Sequence, residues 1–202
     1  MLCALALVLL LDASASILPA EWRAQQEGHA AALEDPEIHA AIAREGPVAI
    51  AVLAFSDDVR PLLDWRVLSG PPDARAAGAE LRLAARPTPA GTDIGAALWA
   101  GLDLLATAPC QAEREVIDLV TDGEAPVEGV LRARAYAEAQ GVAINALAVG
   151  PEAAEAWLRA NAATPAGFVL RADGWASFAP ALRRKLLMEL ASHPGDGVQA
   201  AP

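Results

Sequence analysis

Cysteine occurs only twice in this sequence, at Cys3 and Cys110, and never as Cys-x-x-Cys, which excludes a zinc site built on paired thiolates. Histidine is almost as scarce. His29, His39 and His193 are scattered over expected helix and tail, so each reads as an ordinary surface or partly buried residue rather than a ligand. Positive charge is also short: the formal net charge is -11, and a nucleic-acid backbone would be repelled by such a surface. The one basic run, Arg183-Arg184-Lys185, falls in a C-terminal helical pattern and reads as that helix's solvated last turns. Gly-x-Gly-x-x-Gly, a Walker loop, His-Glu-x-x-His and Gly-x-Ser-x-Gly are all missing, which argues against an enzyme of those classes.

What the sequence does have is apolar length in short pieces. Its 202 residues are 54% hydrophobic, which suits one compact α/β domain over residues 1–191 followed by a loose tail, 192–202. The run Leu2 to Leu11, followed by Ala13-Ser14-Ala15, has some features of a secretory signal peptide. No Lys or Arg precedes it, however, and it stops at Asp12. It is also too short to span a bilayer as a helix. A first strand buried on both faces explains it better, and any export signal, periplasmic or secretory, would then lie upstream.

Strands and helices alternate from there on. Pro19 to Leu33 predicts a helix, continued by Ala40 to Arg44 past the break at Asp35-Pro36. Pro47 to Phe55 predicts a buried strand, and Ser56-Asp57-Asp58 a hairpin into a more exposed strand, Val59 to Leu68. Helices are expected over Pro71 to Ala85, Asp93 to Thr107, Val127 to Gln140, Glu152 to Asn161 and Trp175 to Leu190. Strands are expected over Glu115 to Thr121, Val142 to Val149 and Gly167 to Leu170. The five tryptophans fall on helices or strand faces, where packing is the default role. Such alternation predicts a doubly wound, mostly parallel sheet with helices on both faces, whose ligands bind beyond the carboxyl ends of the strands.

Three strand-end segments carry hard oxygen donors. They are Asp12-Ala13-Ser14-Ala15-Ser16, the Thr92 of Gly91-Thr92-Asp93-Ile94-Gly95, and Asp122 of Thr121-Asp122-Gly123. Two carboxylates and three hydroxyls, with no thiolate or imidazole, select Mg²⁺, Mn²⁺ or Ca²⁺ over zinc or copper. Taken singly, each segment is equally compatible with a helix N-cap or an ordinary turn. Asp93 reads as an N-cap, Asp118 as a strand or packing residue, and Glu124 as a rim charge.

These residues resemble the metal-ion-dependent adhesion site of von Willebrand factor A domains. The resemblance covers Leu5 to about Leu190. Arg114-Glu115-Val116-Ile117-Asp118, Ile144-Asn145-Ala146-Leu147 and Phe178 to Leu187 look closest to a bacterial group, domain of unknown function 1194. Thr121 before Asp122 departs from the Ser-Gly-Asp-Gly commoner in that group. The resemblance implies a three-layer α/β/α fold on a six-stranded sheet with one antiparallel edge strand, and a chain acting as a monomer. It implies one cation bound directly by Ser14 and Ser16, with Thr92 joining directly or through water. Asp12 and Asp122 would act largely through water and by orienting the hydroxyls. An ion so held stays electrophilic enough to accept a carboxylate from a partner protein, which implies adhesion and not catalysis. A structural or assembly module with a vestigial site, and a metal-assisted hydrolase, are the alternatives. The family's sheet also sets the first and fourth strands side by side. Cys3 and Cys110 are then either a disulfide, if their Cα atoms lie within about 7 Å, or reduced thiols.

Overall fold

The computed structural model describes residues 1–191; the expected tail and His193 lie outside the described residues. Leu2–Asp12 is a strand, β1, buried along nearly its whole length. Helices α1 (Pro19–Leu33) and α2 (Pro36–Glu45) follow, then strands β2 (Val48–Phe55) and β3 (Val59–Leu68), and helices α3 (Pro71–Leu83) and α4 (Ile94–Leu105). The second half runs β4 (Gln111–Thr121), α5 (Val127–Gln140), β5 (Ala143–Val149), α6 (Glu152–Asn161), β6 (Val169–Ala172) and, after a 3-10 turn at Trp175–Ser177, α7 (Phe178–Ala191). Six strands form one sheet in the order β3-β2-β1-β4-β5-β6. All neighbouring pairs are parallel except β2 with β3, the hairpin expected from Ser56-Asp57-Asp58.

The strand alternation of β1 explains the layers. Leu5, Leu7, Leu9 and Leu11 pack with α1, α2, α3 and α7 on one face, whereas Ala6, Val8 and Leu10 pack with α4, α5 and α6 on the other. Each fully buried leucine contributes about 2 kcal/mol relative to exposure, so β1 is the spine of both cores. Local chemistry places the helices. Pro19 opens α1 while the Leu18 N–H donates to Glu21 Oε2, and Asp35 caps α2 by accepting from the Glu37 and Ile38 N–H groups. Helices α4 and α5 touch at Gly95 and Gly129: a Cβ added at Gly95 would come within 2.9 Å of Gly129 backbone.

Cys3 and Cys110 form a disulfide, with Cα atoms 5.9 Å apart, joining the start of β1 to the residue before β4. Two expectations need correction. His29 is wholly buried, with Nδ1 2.7 Å from the Gln25 carbonyl oxygen and its ring against Phe178. Lys185, the only lysine in the sequence, is also wholly buried: the basic run straddles the helix, and while Arg184 faces water, Lys185 faces the sheet. Strand β4 begins four residues earlier than expected because Gln111–Arg114 extend the pairing with β1. Strand β6 starts two residues late, at Val169.

Candidate metal centre

Strand order reverses between β1 and β4, and both strands end at the same edge, with Leu11 opposite Val120. Asp12, wholly buried, accepts from the Ser14 N–H at 2.8 Å through Oδ1 and from the Thr121 hydroxyl at 2.6 Å through Oδ2. Ser14 Oγ lies 2.9 Å from Ser16 Oγ, and Ser16 Oγ donates to Asp122 Oδ1 at 2.9 Å. Four of the five expected donors are therefore one hydrogen-bonded line.

Thr92 reaches this edge through its backbone neighbours. Ala15 N–H donates to the Ala90 carbonyl at 2.8 Å, and Asp93 N–H to the Ser56 carbonyl at 2.9 Å, which seats residues 90–93 between the first loop and the hairpin. A Cβ at Gly91 would meet the Asp57 carboxylate, so a larger residue here would have to displace that side chain. Asp93 caps α4 as expected, accepting from Ala96 N–H at 2.8 Å. No hydrogen bond among the described residues joins the Thr92 hydroxyl to the other four donors, so its part in the set rests on the loop's position.

Two further side chains hold the serine loop. Arg86 Nη2 donates to the carbonyls of Ala13, Ser14 and Ile17, at 3.2, 2.9 and 2.7 Å, while its guanidinium lies over the Trp22 ring. Gln25 Nε2 donates to the Asp12 carbonyl at 2.9 Å, tying the strand end to α1. Sequence reading missed Thr121, Arg86 and Gln25 as members of the site. Thr121 lay inside a recognised motif and could have been found from its neighbour Asp12, since a buried carboxylate needs donors. For Arg86 and Gln25, only long-range folding creates the contact.

Burial pushes the Asp12 carboxyl above its ordinary range, with the Ser14 and Thr121 hydroxyls pulling it back and the Asp122 charge raising it further. Asp122 is raised as well, first by burial, with the Ser16 hydroxyl opposing and the Glu21 charge adding. Two carboxyls that repel each other, interleaved with hydroxyls, form a donor set that a hard divalent cation fits. Among the described residues no three His, Cys, Asp or Glu side chains gather in one place, so such an ion would depend on the hydroxyls.

The fold is that of von Willebrand factor A domains. A von Willebrand factor type A structure from Catenulispora acidiphila superposes with a TM-score of 0.68 at 18% identity over 95% of this chain and 44% of that one. The von Willebrand domain of the type V pili tip protein Mfa5 from Porphyromonas gingivalis gives 0.64 at 14% identity, covering 95% and 97%. Proximal thread matrix protein 1 from the mussel byssus, with a zinc-occupied MIDAS motif, gives 0.68 at 16% identity over 93% of this chain. This chain spans only 46% of the mussel protein's length. Residues 2–194 match the family Protein of unknown function (DUF1194), and the chain belongs to that family. No curated protein matches it. Among the described residues no helix is long and apolar enough to cross a membrane.

Proposed function

We propose that this chain is a metal-ion-dependent protein-binding module of the adhesion type. The observation that carries the reading is the hydrogen-bonded line Thr121–Asp12–Ser14–Ser16–Asp122 at the strand-order reversal. Ser14, Ser16 and Thr92 would hold the ion, and Asp12 and Asp122 would orient the hydroxyls by hydrogen bonds. Mg²⁺ suits a set of uncharged hydroxyl donors backed by two carboxylates, and Mn²⁺ or Ca²⁺ share the preference for oxygen. When bound, the cation supplies an electrophilic centre for a carboxylate of a partner protein. The zinc-occupied MIDAS motif of the mussel protein supports a divalent cation at this edge of the fold.

Binding fits better than catalysis because, among the described residues, no His or Lys side chain joins the hydrogen-bonded line to act as a general base. The test is calorimetry: chelator-treated protein titrated with Mg²⁺ and Mn²⁺ should bind one ion, and Ser14→Ala and Asp122→Ala should each weaken binding while the circular dichroism spectrum is kept. Absence of binding by the parent protein would reject the reading in favour of an assembly module that docks through its helices.

A further inference from the structure

Among the described residues a further buried polar cluster lies between β4, β5 and α7, and nothing in the proposed function uses it. Asp118 on β4, Lys185 and Glu189 on α7 and Asn145 on β5 are all shut off from water. Lys185 Nζ pairs with Asp118 and with Glu189 Oε1, the latter at 2.6 Å. Asn145 Nδ2 donates to the same Glu189 oxygen at 2.9 Å and, through Oδ1, accepts the Phe168 N–H at 3.0 Å. Glu189 Oε2 has no hydrogen-bond partner among the described residues.

Two carboxyl groups therefore share one ammonium in a layer buried from bulk solvent. With both ionised, the cluster buries one excess negative charge; with one protonated, it is neutral. The groups facing it from other elements do not remove that imbalance. His29 on α1 is held below its ordinary range by burial, and so stays neutral near pH 7. The Arg114 guanidinium on β4 donates to the Glu189 carbonyl, not its carboxylate, and has Glu45 and Glu113 beside it as well.

We propose that Asp118, Lys185 and Glu189 form a proton-operated latch that holds α7 on the sheet tightly when the cluster has taken up one proton and loosely when it has lost it. Burial, then the Asp118 charge, push the Glu189 carboxyl up to about 7, with Lys185 and Asn145 opposing. Burial pulls the Lys185 ammonium down, but Asp118 and Glu189 outweigh it and hold it above its ordinary value, so the lysine stays charged. The sign follows. A carboxyl raised on the closed helix stabilises the latch fully below its free value, and that stability is lost as pH rises through the raised value.

Hydrogen exchange followed by mass spectrometry on the full chain tests it, with α7 peptides compared with β1 peptides after correction for intrinsic rates. Between about pH 5 and about pH 7.5, opening of α7 relative to β1 should rise roughly tenfold or more. In Glu189→Gln, which keeps the shape and removes the titrating proton, the helix should stay closed at both pH values. A carboxyl-carbon NMR titration of the unsubstituted protein should show Glu189 titrating well above ordinary glutamates. An α7 exchange ratio that does not change with pH, a pH response that survives Glu189→Gln, or an ordinary Glu189 titration would each overturn the latch.

Discussion

Thr121 donates its hydroxyl hydrogen to Asp12 Oδ2 at 2.6 Å, so the last residue of β4 satisfies the last residue of β1. Asp12 is wholly buried, and through Oδ1 it also accepts the Ser14 N–H at 2.8 Å. Thr121→Val keeps the shape and removes the donor. It should lower unfolding stability by about 1–3 kcal/mol in chelator, measured by urea denaturation, with Thr121→Ser restoring most of it. Equal stability of the valine and serine variants would show that the bond contributes nothing.

Arg86 makes a second prediction. One guanidinium nitrogen serves three carbonyls of the serine loop, and none of those carbonyls is a proposed ligand. Arg86→Lys keeps the charge but loses the planar fork. Metal affinity in calorimetry should fall by about 10- to 100-fold, as for other residues that orient ligands from behind. An unchanged affinity would mean that the loop holds its shape alone.

The Cys3–Cys110 bond closes a loop with a sequence separation of 107. Replacing both with alanine should cost about 2–5 kcal/mol in denaturant unfolding, a long loop lying toward the upper end. Metal binding should be untouched, since β1 carries Cys3 and Asp12 nine residues, about 30 Å, apart. A free-thiol assay on denatured, unreduced protein should find no reactive cysteine.

Acidity should separate the metal-bound from the metal-free protein. Asp12 and Asp122 are both raised, so without metal their contribution to stability is present below the unfolded values and is lost as pH rises through the folded ones. A cation held by the neighbouring hydroxyls would favour the ionised form of both carboxylates and so reverse that trend. The gap in Tm between saturating Mg²⁺ and chelator should therefore widen between about pH 4 and about pH 7. Subtracting the chelator trace removes any part due to Glu189. A gap constant across that range would show that neither carboxyl changes state when metal binds.

The elements of this fold were legible because their periodicities were clean. Continuous apolar runs gave β1 and β2 as buried strands, and Pro at the starts of α1 and α3 marked their entries. The expected donors Asp12, Ser14, Ser16 and Asp122 proved to be hydrogen-bonded neighbours because each sits at a strand exit, and parallel strands in one sheet present their exits at one edge. Less legible was everything that depends on which face of a helix looks inward. Lys185 read as solvated, and His29 as a surface or partly buried residue, because single polar residues usually are. Yet Asp118 and Asn145, in the middle of Val116-Ile117-Asp118-Leu119-Val120 and Ile144-Asn145-Ala146-Leu147, already required buried partners, and a lysine on the last helix was available to supply one.

The contact between Gly95 and Gly129 carries a consequence for relatives of this chain. Gly95 stands three residues after Thr92, so the depth to which α4 sinks against α5 also sets the height of the threonine loop over the sheet. A relative with a bulkier residue at Gly95 must hold those helices apart, since a Cβ there would meet Gly129 backbone at 2.9 Å, and that would lift the loop and widen the proposed metal site. If the proposed site binds a cation, ion size preference within the family should then track the volume at position 95, a residue that is not itself one of the proposed ligands.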